Sequence, residues 1–193
     1  MAQSFKSLAR SRTWRKDDFV ISTDPSLFPI SALSEVFNSE GFYWANAPTP
    51  EAMRELLENS LSFGLYQLNE QSKGPESSPA SGTEATDHEK LEFVGIARCV
   101  TDFVTFSYLT DVWVQPGHQG KGLGRWLVGC VREVMDSMPF LRRSMLFTSS
   151  WDRSVPFYED ILGMSVIESR RGEGVAIMAR KGRGHPMYGE EGL

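Results

Sequence analysis

The chain has 193 residues, 40% of them hydrophobic and 23% charged, with a net charge of −5 and two cysteines. That length holds one domain with a core large enough to need no disulfide staples. The acidic balance argues against general nucleic-acid binding, which needs a basic surface, no apolar stretch approaches the ~20 residues that span a bilayer, and Cys99, Cys130, His88, His118 and His185 show no disulfide or metal-ligand spacing.

Residues 1–17 carry Lys6, Arg10, Arg12, Arg15 and Lys16, with no acid before Asp17 and no apolar signal core, and read as a flexible basic tail. Residues 18–23 (DFVIST) are β-rich and read as the first strand. Ile30, Leu33 and Phe37 fall at helical spacing, and an aromatic loop, 41–48 (GFYWANAP), follows. Thr49 can cap the next helix, Pro50 suits its first position, and Met53, Leu56, Leu57 and Leu61 form its apolar stripe. Residues 61–68 (LSFGLYQL) turn β-like. The stretch 69–90 has no aromatic and no large apolar residue, so burial cannot offset its ordering entropy; it reads as a disordered insertion at a hairpin tip.

Residues 93–101 and 103–114 read as two long strands, and 122–138 as the strongest helix, with Leu123, Leu127, Val131 and Val134 on one face. A short strand over 144–148 and a helix over 155–162, ended by Gly163, come next. Residues 164–168 and 175–180 could pair as a terminal hairpin, and 182–193 read as a flexible tail. The order β-α-α-β-β-β-α-β-α-β-β implies an α/β fold with a mixed sheet, in one domain over 18–181.

The segment VWVQPGHQGKGLGR, 112–125, carries the chemistry. A strand ends at Pro116 and a glycine-rich turn feeds the long helix, whose first turn presents open N–H groups and a positive dipole end. Gly120, Gly122 and Gly124 clear side chains from the turn, and Lys121 and Arg125 add charge, which together make a site for phosphate or pyrophosphate. Neither a Walker A loop nor a G-x-G-x-x-G fingerprint fits, because Gln115 and Arg125 stand where glycines are required. Gln119, Gly122 and Gly124 do satisfy Q-x-x-G-x-G.

That pattern resembles motif A of the GNAT superfamily of acyl-CoA-dependent N-acetyltransferases. The Val-x-Val strand before it and FYEDILGM, 157–164, which is similar to the family's motif B, extend the resemblance over about 18–180. The resemblance implies a mostly antiparallel GNAT-type central sheet flanked by helices, with acetyl-CoA as co-substrate and no metal. It implies that amides from Gln119 through Gly120, Lys121, Gly122, Leu123 and Gly124 to Arg125 hold the pyrophosphate. The backbone of Val112, Trp113 and Val114 would pair with the pantetheine arm, beside a strand bulge that opens the cofactor slot, and a Val112 or Val114 N–H would polarise the thioester carbonyl. Tyr158 falls on the motif-B tyrosine that protonates the departing thiolate. Trp151 stands where many members carry Asn and Ser154 where Ala is common, leaving Ser149, Ser150 and Asp152 to replace those contacts.

On the amine side, Asp111 enters the motif-A strand and Tyr108 lies three residues earlier, on the opposite face by alternation; either could hold a proton-accepting water. Asp102 and Asp24 are weaker candidates. Tyr43 and Trp44, beside Phe42, could border the acceptor or simply cap the core. The resulting expectation is an N-acetyltransferase acting by direct attack in a ternary complex on a small-molecule primary amine. Alternatives are a protein lysine or N-terminal acetyltransferase and a non-catalytic coenzyme A module. The expected protein is a monomer or homodimer without nucleic-acid or membrane partners. Its expected location is a reducing interior, cytoplasmic in the simplest reading, with nucleus and mitochondrion left open.

Overall fold

Six strands form one sheet in chain order, β1-β2-β3-β4-β5-β6. They are β1 Thr13–Lys16, β2 Phe19–Ser22, β3 Leu61–Leu68, β4 Leu91–Thr101, β5 Phe106–Val114 and β6 Arg143–Met145. The first four pairings are antiparallel and β5 with β6 is parallel, so the sheet is mixed as expected. The helices are α1 Phe5–Ala9, α2 Ile30–Phe37, α3 Pro50–Glu58, α4 Leu123–Asp136 and α5 Ser154–Leu162. The computed structural model describes residues 3–42, 44–68 and 91–167. The insertion at 69–90, the second half of the terminal hairpin and the tail at 182–193 lie outside them. Residues 164–167 carry no strand, which removes the described half of that hairpin.

The chain groups into two compact units, Met1–Pro29 with Leu57–Phe147, and Ile30–Leu56 with Thr148–Leu193. The first holds the sheet and α4. Leu123, Leu127, Val131 and Val134 are buried as their spacing predicts, and α4 packs on β3, β4 and β5. Residues 61–66 of β3 are buried on both faces, which explains why LSFGLY does not alternate. Trp14 stacks on Phe63 with ring centroids 5.9 Å apart, and its indole N–H donates to Glu133 of α4 at 2.8 Å. The α4 side of the sheet therefore carries Trp14, Phe63, Leu65 and Val114. Tyr66 pairs with Phe93 on the other side, their rings 5.8 Å apart.

The N-terminal segment corrects the sequence reading. Residues 3–17 are not a featureless tail: Ser4 caps α1 by accepting from the Ser7 N–H at 3.2 Å, and β1 turns through Asp17 and Asp18 to pair with β2. Arg10 donates to the carbonyls of Glu58 and Leu57 at 2.8 and 3.1 Å, and Arg12 bridges Glu133 at 3.0 Å. Two of the five basic charges, Arg10 and Arg12, are docking contacts to partners far along the chain. β5 likewise begins at Phe106 rather than 103, because 102–105 form a turn, and β6 is shorter than 144–148.

In the second unit, Thr49 caps α3 as expected, its hydroxyl oxygen accepting from the Ala52 N–H at 3.4 Å and its carbonyl from the Met53 N–H at 2.8 Å. Phe37 meets Phe42 at 4.2 Å between centroids, and Phe42 meets Trp44 at 4.3 Å.

Candidate active site

The β4–β5 pairing changes register in its middle. Ile96 pairs with Trp113 but Arg98 pairs with Thr110, so Asp111 and Val112 together oppose Ala97. This is a β-bulge in β5, at the strand where the resemblance requires one. Asp111 takes its extra turn at φ +52, a left-handed geometry that Asp tolerates better than most residues, at a cost on the order of 1 kcal/mol.

The other edge of β5 is only half covered. β6 pairs with Phe106, Ser107 and Tyr108, and among the described residues the ladder stops there. Gln115 N–H donates to the Val94 carbonyl at 2.9 Å, which aims it at β4. Alternation then turns Trp113 toward β4 as well and puts the N–H groups of Val112 and Val114 on the open edge. The Val114 carbonyl accepts from Gln119 Nε2 at 2.8 Å, so the motif glutamine fastens the turn to the strand end.

That turn runs through a 3-10 segment, Pro116–His118, into α4. Gly120 and Gly122 have φ of +77 and +76, which demands glycine at both, and a Cβ at either would meet nothing within 4 Å. Gly122 is the N-cap of α4 and brings no capping side chain, so the first-turn amides of Leu123 and Gly124 face an open cradle. A Cβ on Gly124 would lie 3.9 Å from Val114, an ordinary contact, so this glycine is not enforced by its own packing. Lys121 and Arg125 are exposed beside the cradle. The turn fits a pyrophosphate: left-handed glycines, an uncapped helix start and two cations.

The bulge also re-aims Asp111. Strict alternation would put it on the face opposite Thr110 and Tyr108. Instead Asp111 Oδ1 accepts from the Thr110 hydroxyl at 3.2 Å, and Oδ2 accepts from Arg98 Nε at 2.6 Å. Arg98 and Thr110 are cross-strand partners, and Tyr108 bonds to Thr110. Arg98, Tyr108, Thr110 and Asp111 thus form one cluster on the sheet face away from α4. Burial, the larger effect, and the Asp111 charge push the Tyr108 phenol upward against the opposing pull of Thr110 and Arg98, so it stays protonated near neutral pH. The sequence reading missed Arg98, although a lone guanidinium inside the apolar run FVGIARCV was the available signal.

The weaker acid candidates are structural. Asp24 Oδ1 accepts from the N–H and hydroxyl of Ser26 at 2.9 and 2.7 Å, capping a 3-10 turn. Asp102 organises the β4–β5 turn. Its Oδ2 accepts from the Thr105 hydroxyl at 2.7 Å, and its Oδ1 from the amides of Val104, Thr105 and Phe106 at 2.9, 2.7 and 3.0 Å. These bonds, led by that to the Thr105 side chain, hold its carboxyl far below the usual carboxylate range. A depressed folded value means the stabilisation is present above the unfolded pKa of about 3.9 and lost as pH falls through the folded value. Asp102→Asn should therefore melt below the parent protein at pH 7, with the gap closing steadily below about pH 4. A gap unchanged between pH 7 and 3 would disprove the charge-dependent part.

Both cysteines are buried, and burial pushes each thiol up to about 12, so neither is a ready nucleophile near neutral pH. Tyr158 sits half-buried on α5 in the second unit, 5.1 Å from the Phe157 ring, and burial pushes its phenol up to about 12. Trp44, in the same unit, is half-buried against Phe42; Tyr43 lies outside the described residues. Trp151 is exposed, and Ser154 begins α5.

The family model described as the Acetyltransferase (GNAT) family matches residues 36–164. A Gibberella zeae protein named "Putative acetyltransferase FG08082" is 37% identical over 146 residues, covering 74% of this chain and 78% of that protein. The crystal structure of a Xanthomonas campestris pv. campestris protein described as "a putative acetyltransferase belonging to the gnat family" superposes with a TM-score of 0.61 at 25% identity, over 91% of this chain and all of the other. A Deinococcus radiodurans protein, titled a "putative acetyltransferase", shares the fold at a TM-score of 0.52 and 22% identity, over 88% of this chain and 94% of its own.

Proposed function

Because the chain belongs to the GNAT family of acetyltransferases, we propose that it moves an acetyl group from acetyl-CoA to a primary amine of a small molecule by direct attack. The observation that carries this reading is the edge of β5 beyond Tyr108, left uncovered by β6 and running from the bulge into the glycine cradle. Acetyl-CoA supplies the acetyl group as an activated thioester. The first-turn amides of α4, with Lys121 and Arg125, hold its pyrophosphate. The open-edge amides of Val112 and Val114 bind the pantetheine arm as an added strand, and one of them donates to the thioester carbonyl oxygen as that oxygen gains charge.

The motif-B resemblance assigns Tyr158 to the sulfur. With its phenol near 12, full proton transfer to a thiolate of pKa about 8.5 would be uphill by about 5 kcal/mol. Its part is a strong hydrogen bond to the developing charge, with the proton following from water. The amine must shed its own proton, since at pKa about 10.4 it is neutral only about one part in a thousand near pH 7.4. Asp111 already accepts from Arg98 and Thr110, and Tyr108 is protonated, so a water held at Tyr108 takes that proton.

The test is thiol release from acetyl-CoA by the purified protein with pooled polyamines, amino acids, arylalkylamines and aminosugars, and with a lysine peptide. Release with a small-amine pool is expected. Release with the peptide alone would replace this reading with protein acetylation. No release from protein that binds acetyl-CoA would replace it with a coenzyme A module.

A further inference from the structure

The guanidinium of Arg98 has five N–H donors. One, on Nε, goes to Asp111 at 2.6 Å. Among the described residues, the four donors on the two Nη atoms have no acceptor, although the side chain is only 15% exposed. A planar fork of paired N–H groups matches a carboxylate in two parallel bonds. The Nη atoms are absent from the buried unsatisfied side-chain atoms, so water or a ligand reaches them.

The surroundings favour the same partner. Tyr108 lies on the same face, with its phenol bonded to Thr110, and walls that side of the cluster. Asp111 fixes the orientation of the fork from its Nε side, and the hydroxyl of Thr110 in turn fixes Asp111. Thr110, the cross-strand partner of Arg98, lies two residues before Val112, roughly 7 Å along the strand. An anion held at Arg98 would stand about one small molecule away from the amide proposed to polarise the thioester.

We infer that the acceptor is a carboxylate-bearing amine of amino-acid size, whose carboxylate is gripped by the Nη edge of Arg98 while its amine attacks. This rests on the proposed acetyl transfer to a small amine. It makes Arg98 a specificity-determining residue and Asp111 a positioning residue. Chemically, the amine nitrogen forms the bond to the acetyl carbon, the carbon–sulfur bond breaks, sulfur keeps the electron pair, and the ammonium proton leaves through water. The carboxylate itself is unchanged.

The experiment compares the common amino acids with the same amino acids as carboxamides, by thiol release from acetyl-CoA and by the thermal shift each pool gives. The parent protein should prefer the acids by at least tenfold in kcat/KM. In Arg98→Met that ratio should fall to near one, and the thermal shift with the acids should vanish. Should Arg98→Met fail to fold, Arg98→Lys keeps a charge opposite Asp111 without the fork and should lower the ratio severalfold. Transfer to amines with acids and amides used equally, or a ratio that survives both substitutions, would overturn the carboxylate site and leave the acetyl-transfer reading standing. No transfer, but a thermal shift by acids that Arg98→Met abolishes, would do the reverse. No transfer and no shift would overturn both.

Discussion

Tyr158→Phe should lower kcat by about two orders of magnitude while leaving the KM for acetyl-CoA within a few-fold. Removing one donor aimed at developing charge typically costs 10²–10³ in rate, about 3–4 kcal/mol. The phenol is half-buried against Phe157, and Phe keeps the ring, so the variant should fold normally. Its elevated pKa sharpens the expectation. A tyrosine of ordinary pKa near 10 would give a falling limb in the parent pH–rate profile as it ionised. At about 12, pushed up by burial, Tyr158 should leave no limb of its own between pH 6 and 10. Rates that do not change on substitution would remove Tyr158 from the mechanism. A limb near pH 9–10 that disappears in Tyr158→Phe would show that the phenol is less shielded than its burial indicates.

The second large effect falls on stability. Asp111→Ala leaves the Arg98 guanidinium with no partner in a site where the two side chains are only 5 and 15% exposed. Breaking a buried pair from one side costs about 3–5 kcal/mol, because the remaining charge loses its partner in a site water reaches only at one edge. Alanine at φ +52 adds about 1 kcal/mol of backbone strain. At about 2–4 °C per kcal/mol for a chain of this size, the melting temperature should drop by about 15 °C. Asp111→Asn separates the two causes. Asn accepts the left-handed geometry, and its amide oxygen can still receive the Arg98 Nε–H, so only the charge is lost and the drop should be about half as large. A urea melt placing Asp111→Ala within 1 kcal/mol of the parent would mean that water already screens the pair.

The single-chain signals identify the parts whose causes are local. The stripe Leu123, Leu127, Val131 and Val134 specifies α4 because an amphipathic period of 3.6 is written in neighbouring residues. Gly120 and Gly122 disclose the anion cradle because left-handed backbone at a helix start excludes other residues. Thr49 and Pro50 mark the start of α3 for the same kind of reason. The N-terminal strand was not legible. Trp14 and Arg12 look like a solvated basic tail until Glu133, more than a hundred residues away, stands beside them.

The cluster around Arg98 shows the same division more sharply. The residue types at 108–114 name a strand and its candidates, and alternation alone would set Asp111 apart from Thr110 and Tyr108. One extra residue against Ala97 reverses that, bringing Asp111 onto their face and against Arg98. A bulge is a choice of register between two strands, settled by which pairings bury the most and leave the fewest polar groups unmatched. So the sequence by itself determined the family motifs, the glycine-rich turn and the long helix. Only the tertiary structure decided which side of the sheet carries the charge pair and where the edge of β5 is left open, because both depend on how β4 and β6 align with β5 across space.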